Sequence, residues 1–187
     1  MKKLGILRLN PVENTLIENL KNELAKIFVN IFSSIEIIPQ IIEIPKIYYN
    51  EIRKQYKADY LLETTIKVAT QYGYDVVLGI IDADIYKSGF NFIFGLAQIR
   101  SRPSACIIAL ARLNPGFYNF KYDEKNSQNI YRLRILKEAL HEIGHTLGLP
   151  HCINPDCVMI FSNSLLDTDR KPAKFCQSCA RRIGLLK

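Results

Sequence analysis

The sequence predicts an α+β domain: a twisted mixed sheet with an antiparallel edge strand, a helix that carries the candidate site, and a small C-terminal subdomain. Three observations predict it. Strand-like and helix-like patterns alternate through the first 81 residues; two later strand patterns lie too close together for a helical crossover; and the chain after Gly148 is poor in apolar residues but rich in cysteine. With 187 residues, 48% of them hydrophobic, the chain is long enough for one domain with a sizeable core. Residues 1–187 therefore read as a single unit, with a sheet-and-helix part over 1–150 and a C-terminal part over 151–187.

Residues 4–9 read as a short buried strand closed by Asn10-Pro11. Asn14 or Thr15 is placed to cap a helix whose apolar positions Leu16, Leu20, Leu24, Ile27 and Phe28 recur at helical spacing. Residues 35–44, interrupted by Pro39 and ended by Pro45, are β-branched enough for a second strand, and 48–56 read as a connecting loop. Asp59 opens a second helix through Leu62, Ile66 and Ala69, stopped by Gly73. Residues 75–81 (DVVLGII) read as a third strand, apolar enough after Asp75 to be central in a sheet. Asp82 and Asp84 follow that strand with no phosphate-binding loop nearby, so they read as loop-shaping rather than as a magnesium pair.

Residues 90–98 and 104–113, separated by the basic turn Arg100-Ser101-Arg102-Pro103, should pair antiparallel. The first would form a sheet edge with backbone groups available to a peptide. Cys106, within an apolar run, reads as an inert buried thiol. A polar loop over 114–126 leads to Ser127, the expected cap of the last helix, with Ile130, Leu133, Leu136, Leu140 and Ile143 as its core stripe.

That helix runs into HEIGHTLGLPH, residues 141–151, which contains all three histidines of the chain. His141 and His145 are four apart, so on a helix both imidazoles stand on one face within reach of one ion. Gly148 tolerates the left-handed conformation that ends a helix, Pro150 cannot continue one, and the turn brings His151 round as a third ligand. Three imidazoles leave one position of a tetrahedral zinc open, the arrangement of a catalytic site. Glu142, beside the first ligand, can reach a water on that ion and act as general base. Beyond it, Cys152, Cys157, Cys176 and Cys179 form two close pairs joined by a longer loop, the spacing of a structural four-cysteine zinc; two disulfides are the alternative. The 39 residues after Gly148 are thus expected to be held by zinc rather than by apolar packing of their own.

HEIGHTLGLPH followed by Cys152, then Cys157-Val158-Met159, then Cys176-Gln177-Ser178-Cys179 resembles the archaemetzincins, metzincin-clan zinc metallopeptidases with an added four-cysteine zinc. The resemblance implies a zincin/metzincin-like fold and a zinc-dependent hydrolase of peptide bonds. It implies two zinc ions, a catalytic one on His141, His145 and His151 with Glu142 as base, and a structural one on Cys152, Cys157, Cys176 and Cys179. Met159 would be the methionine of the turn beneath the catalytic zinc. Asp82 to Tyr86 and Asn91 to Ala97 resemble the family segments that lead to the substrate-aligning edge strand. Some metzincins add a tyrosine ligand two residues after the turn methionine; that position is Phe161 here, so three protein ligands and a solvent ligand are expected. Tyr118 or Asp123 folding over the metal is the alternative.

The net charge of +7 stays +7 with both zincs bound, since four thiolates with zinc contribute −2 and the three-histidine zinc +2. Arg170, Lys171, Lys174, Arg181, Arg182 and Lys187 concentrate it in a stretch with no acid. Cations around a four-thiolate centre account for this better than a nucleic-acid patch, because no aromatic run interleaves them. No run approaches the roughly 20 apolar residues of a membrane helix, and Arg8 and Asn10 break the N-terminal apolar run too soon for a signal peptide, so a cytoplasmic setting without a pro-segment is expected. The expected partner is a peptide or protein substrate, with no membrane and no nucleic acid. The competing reading is a zinc-stabilised peptide- or nucleic-acid-binding module with little or no turnover; Glu142 argues against it, because a purely structural site needs no base there.

Overall fold

The computed structural model describes residues 1–98, 102–118 and 123–186. Five strands, β1 (Lys2–Arg8), β2 (Phe32–Ile41), β5 (Val76–Ile81), β7 (Gly95–Ala97) and β8 (Ser104–Ala109), form a sheet in the order β2-β1-β5-β8-β7. The first four of that order are parallel and β7 runs antiparallel at the edge. Alternation along the strands sends successive side chains to opposite faces. Leu4, Ile6, Leu78, Ile80, Cys106 and Ile108 therefore face α1 (Asn14–Ile27) and α3 (Glu124–Thr146). Leu7, Val77, Ile81 and Ile107 face α2 (Ala58–Tyr72). Both β5 and β8 are buried along their whole length.

Several boundaries differ from the sequence expectation, each for a local reason. Glu13, with no side-chain cap bond, precedes α1, so neither Asn14 nor Thr15 is the cap. Pro39 does not break β2: the strand is a sheet edge with a register shift opposite Ile6 to Arg8, where a missing N–H costs no ladder bond. Residues 48–56 are not only loop. β3 (Tyr49–Asn50), β4 (Gln55–Lys57) and β6 (Ile85–Tyr86) make a second, three-stranded sheet. Asp84 serves that corner, pairing with Arg112 at 2.7 Å and accepting from Gln55 at 3.0 Å. The strands flanking the basic turn are shorter than the patterns suggested, and residues 99–101 of that turn lie outside the described residues.

Asp123, not Ser127, caps α3, its side chain accepting from the Asn126 N–H at 3.0 Å. The core stripe of α3 is also rotated from the expected one. Ile135 and Ala139 join Leu140 and Ile143 in the core while Leu133 is exposed, because one turn of the helix faces polar partners instead. Arg134 forks onto Asp169 with two bonds of 2.7 Å, and Lys137 donates to the Thr168 and Asp169 carbonyls. These contacts fix α4 (Leu165–Arg170) against α3.

The C-terminal stretch is not limited to cysteine contacts. Cys157, Val158 and Met159 are fully buried in the same apolar cluster as the sheet and α3, and the Phe175 ring lies 5.9 Å from Phe28. Burial of a side chain such as Met159 contributes roughly 1.5–3 kcal/mol. None of the described helices is long and apolar enough to cross a membrane.

Candidate active site

The last two turns of α3 carry His141, Glu142 and His145 on its buried side, and the chain reverses at Gly148, whose φ of 93° is the left-handed value a glycine adopts without strain. The ligand atoms of His141, His145 and His151 lie within 4.8 Å of one another. His141 Nδ1 is 2.8 Å from the Val158 carbonyl and His145 Nδ1 is 2.8 Å from the Leu149 carbonyl. A carbonyl only accepts, so both Nδ1 atoms carry the proton and both Nε2 atoms present lone pairs. Those two Nε2 atoms face each other at 3.1 Å. Two facing lone pairs repel unless a cation lies against both, and Zn–N bonds of about 2.0–2.1 Å at a tetrahedral angle put the nitrogens about 3.3 Å apart. The donor set and its spacing fit zinc.

Burial depresses the His141 pKa to about 2, with the Lys171 ammonium adding to the effect, and burial lowers His145 and His151 as well. All three imidazoles are thus held neutral, the form that ligates metal. Burial raises Glu142 to about 8, with Glu138 adding to the rise and Lys171 opposing it.

Two glycines shape the site, and neither stood out in the sequence. A Cβ on Gly144 would collide with the Met159 sulfur and lie 3.1 Å from Phe175, so the missing side chain lets the 157–160 turn close under the histidines. That turn supplies the Val158 carbonyl to His141 and is pinned by the Cys152 N–H to Met159 carbonyl bond of 2.9 Å. Gly144→Ala is expected to cost about 1–3 kcal/mol through overpacking, read by denaturant unfolding. At Gly95, on β7, a Cβ would fall 2.6 Å from Glu142 Oε1. The edge strand therefore walls in that carboxylate. Gly95→Ala should displace it and lower kcat/KM on the order of 100-fold with little change in unfolding midpoint, since misplacing a reacting group by about 1 Å carries a penalty of that order.

The cleft above the histidines encloses about 490 Å³ between β7 on one side and Phe161 to Asn163 on the other. Phe161, half exposed, sets its ring 4.9 Å from His151. Neither Tyr118 nor Asp123 lines the cleft; Tyr118 lies 3.5 Å from Arg112, and Asp123 caps α3. A larger depression of about 1050 Å³, bordered by Met1, Tyr74 and Arg182, contains none of the seven candidate ligands. Alternation along β7 decides which backbone groups the cleft receives. Phe94 and Gln98 bond to β8 (Ala109 N–H to Phe94 carbonyl, 2.8 Å; Gln98 N–H to Ala105 carbonyl, 2.9 Å), and in an antiparallel pair such residues alternate with ones whose groups point outward. Gly95 and Ala97 are the outward pair.

Cys152, Cys157, Cys176 and Cys179 form the second group, with their sulfurs also within 4.8 Å of one another and all four as thiols. Cys152 Sγ and Cys176 Sγ are 3.9 Å apart, far beyond the roughly 2.05 Å of a disulfide and close to the ~3.8 Å edge of a tetrahedron of ~2.3 Å Zn–S bonds. Backbone N–H groups of Asn154 and Cys176 point at Cys152 and Cys157 sulfurs. Hydrogen bonding, first from the Cys179 backbone, lowers the Cys176 pKa to about 7. Cys106 stands apart, fully buried in β8, with its pKa raised by desolvation.

One cation of the basic tail is not where the charge pattern placed it. Lys171 is buried beside the cleft, its Nζ 2.9 Å from Glu138 Oε1, which also accepts from Thr168. Glu138 could have been noticed at one helical turn before His141 and Glu142; Lys171 had no such marker.

A helix presenting two neutral imidazoles and a buried glutamate, a turn returning a third imidazole, and an antiparallel edge strand across them define a zinc metallopeptidase. The sequence model of peptidase family M54 matches residues 9–184. The chain belongs to peptidase family M54, and the relatives it matches include archaemetzincins. The archaemetzincin of Methanocaldococcus jannaschii is 40% identical over 160 residues, covering 86% of this chain and 83% of the relative. The crystal structure of the Archaeoglobus fulgidus archaemetzincin, complexed with malonate, superposes with a TM-score of 0.77 at 36% identity over 96% of this chain and 99% of that one. A zinc-dependent peptidase from Methanocorpusculum labreanum superposes with a TM-score of 0.80 at 26% identity, over 96% and 99%.

Proposed function

We propose that His141, His145 and His151 hold a catalytic zinc, that Glu142 is the general base, and that Cys152, Cys157, Cys176 and Cys179 hold a second, structural zinc. The observation that carries this reading is the pair of Nε2 lone pairs 3.1 Å apart, each oriented by a carbonyl on its own Nδ1–H, directly beside a buried carboxylate. When bound, zinc polarises the scissile carbonyl and brings the pKa of its water to about 7. Glu142 accepts the proton of the attacking water and passes it to the leaving amine. Val158 and Leu149 carbonyls keep the imidazoles in one tautomer and orientation. The outward N–H and C=O groups of Gly95 and Ala97 align a peptide or protein substrate as an added antiparallel strand.

Residues 151–187 act as a subdomain whose order depends on the second zinc, although its buried side chains share the main core. Four reduced cysteines placed as metal ligands fit a cytoplasmic setting, where thiols persist. The test is a digest of a proteome-derived peptide library by the zinc-loaded protein, with new termini mapped by mass spectrometry and metal counted in parallel. Cleavage that disappears on chelation and returns with zinc, at two zincs per chain, is the expected result; an unchanged library would refute the peptidase assignment of these residues.

A further inference from the structure

We propose that Lys171 and Ser162 form a carboxylate-binding subsite in the wall of the cleft, which takes an acidic side chain or the free C-terminal carboxylate of the peptide; the assignment of that peptide as substrate rests on the reading above. Lys171 has no exposed side-chain surface, yet none of its N–H groups makes a hydrogen bond. Its one ionic contact, to Glu138 Oε1 at 2.9 Å, lies off hydrogen-bond geometry, and that oxygen is already engaged by Thr168 at 3.0 Å. An ammonium carries three donors, so one paired with a single carboxylate oxygen keeps two for a second anion. Ser162 Oγ is another buried polar atom without a partner, and it belongs to the same cleft. One ammonium and one hydroxyl are donors enough for the two oxygens of a carboxylate.

The surroundings do not repel an anion. Around Lys171 stand Arg134 and Lys137 as further cations, against Glu138, Asp169 and Glu142, so the cationic and anionic side chains of this cluster balance. Lys87 adds a cation to the cleft lining, where the carboxylates are Glu138, committed to Lys171 and Thr168, and Glu142, beside the histidines. The remaining walls, from Phe92, Phe94, Leu96 and Phe161, are apolar and supply contact area without competing charge.

The test uses zinc-loaded Glu142→Gln protein, in which binding is read by calorimetry without turnover, and acetylated peptides in matched pairs. One set exchanges Glu for Gln at single positions; the other compares free and amidated C-termini, which separates the two sources of carboxylate. The expected result is binding tighter by about tenfold or more for the acid member of one set, with the preference falling to near unity on adding Lys171→Met and falling severalfold on adding Ser162→Ala. Because Lys171→Met strands Glu138, the pair Lys171→Met with Glu138→Gln is measured beside it and should lose the preference equally. Wild-type cleavage of the same peptides keeps the two readings apart. Cleavage without an acid preference overturns the subsite and leaves the peptidase standing, whereas an acid preference in binding without cleavage does the reverse. A preference that survives both Lys171 variants, or a Lys171 effect equal on acid and neutral peptides, overturns the subsite.

Discussion

Glu142→Gln is expected to lower kcat by about 100- to 10,000-fold while leaving both metals and the unfolding midpoint in place. The size follows from what the amide lacks. Gln has the volume and reach of Glu, so the fit of the side chain into the space left by Gly95 on β7 is preserved. What is lost is the capacity to take the proton of the attacking water, because an amide oxygen is a far weaker base than a carboxylate. The effect should fall on kcat rather than KM, since substrate alignment comes from the β7 backbone and the cleft walls. Steady-state kinetics with zinc content measured on the same sample checks it, and turnover within about threefold of wild type would remove Glu142 from the mechanism.

The parts of this site that were legible in the sequence are those encoded locally. An i, i+4 histidine pair, a glycine at the helix end and a proline beyond it fix where three imidazoles go within eleven residues, whatever the rest of the chain does. The antiparallel edge was legible for a related reason: six residues cannot carry a chain back across a sheet. Features made by two segments meeting were not legible. The sheet of β3, β4 and β6 consists of strands two or three residues long, too short to show a period, and its partners are 29 residues apart in the chain at Tyr56 and Ile85. Nothing local in the sequence marks the polar turn of α3 as buried, yet Arg134 and Lys137 are buried because Asp169 and the Thr168 carbonyl meet them from α4. Lys171 was assigned to the surroundings of the thiolates by its neighbours in sequence, whereas its neighbour in space is Glu138.

Cys157→Ser is expected to cause a larger loss of order than any substitution at the histidines. Cys157 is fully buried, and its sulfur accepts the Cys176 N–H at 3.3 Å, so it ties the turn after His151 to the segment before α5 (Gln177–Arg182). Structural zinc sites contribute about 10–16 kcal/mol in small domains, as much as the roughly 5–15 kcal/mol that separates a whole domain from its unfolded state. Serine is a poor zinc ligand, and most of that contribution would be forfeited. Apolar burial of Val158 and Met159 retains part of the packing, but the turn that presents the Val158 carbonyl to His141 loses its tether on both sides. The expected outcome is one fewer zinc per chain, rapid proteolysis after residue 150 with the sheet and α1 to α3 protected, and a histidine site that binds zinc weakly. Stripping zinc from the wild-type histidines with a mild chelator should give the opposite pattern: activity gone, proteolysis unchanged, and full recovery on adding zinc. Limited proteolysis and zinc analysis of both samples decide the matter; a Cys157→Ser protein as protease-resistant as the chelated wild type would mean that apolar packing alone holds the C-terminal stretch.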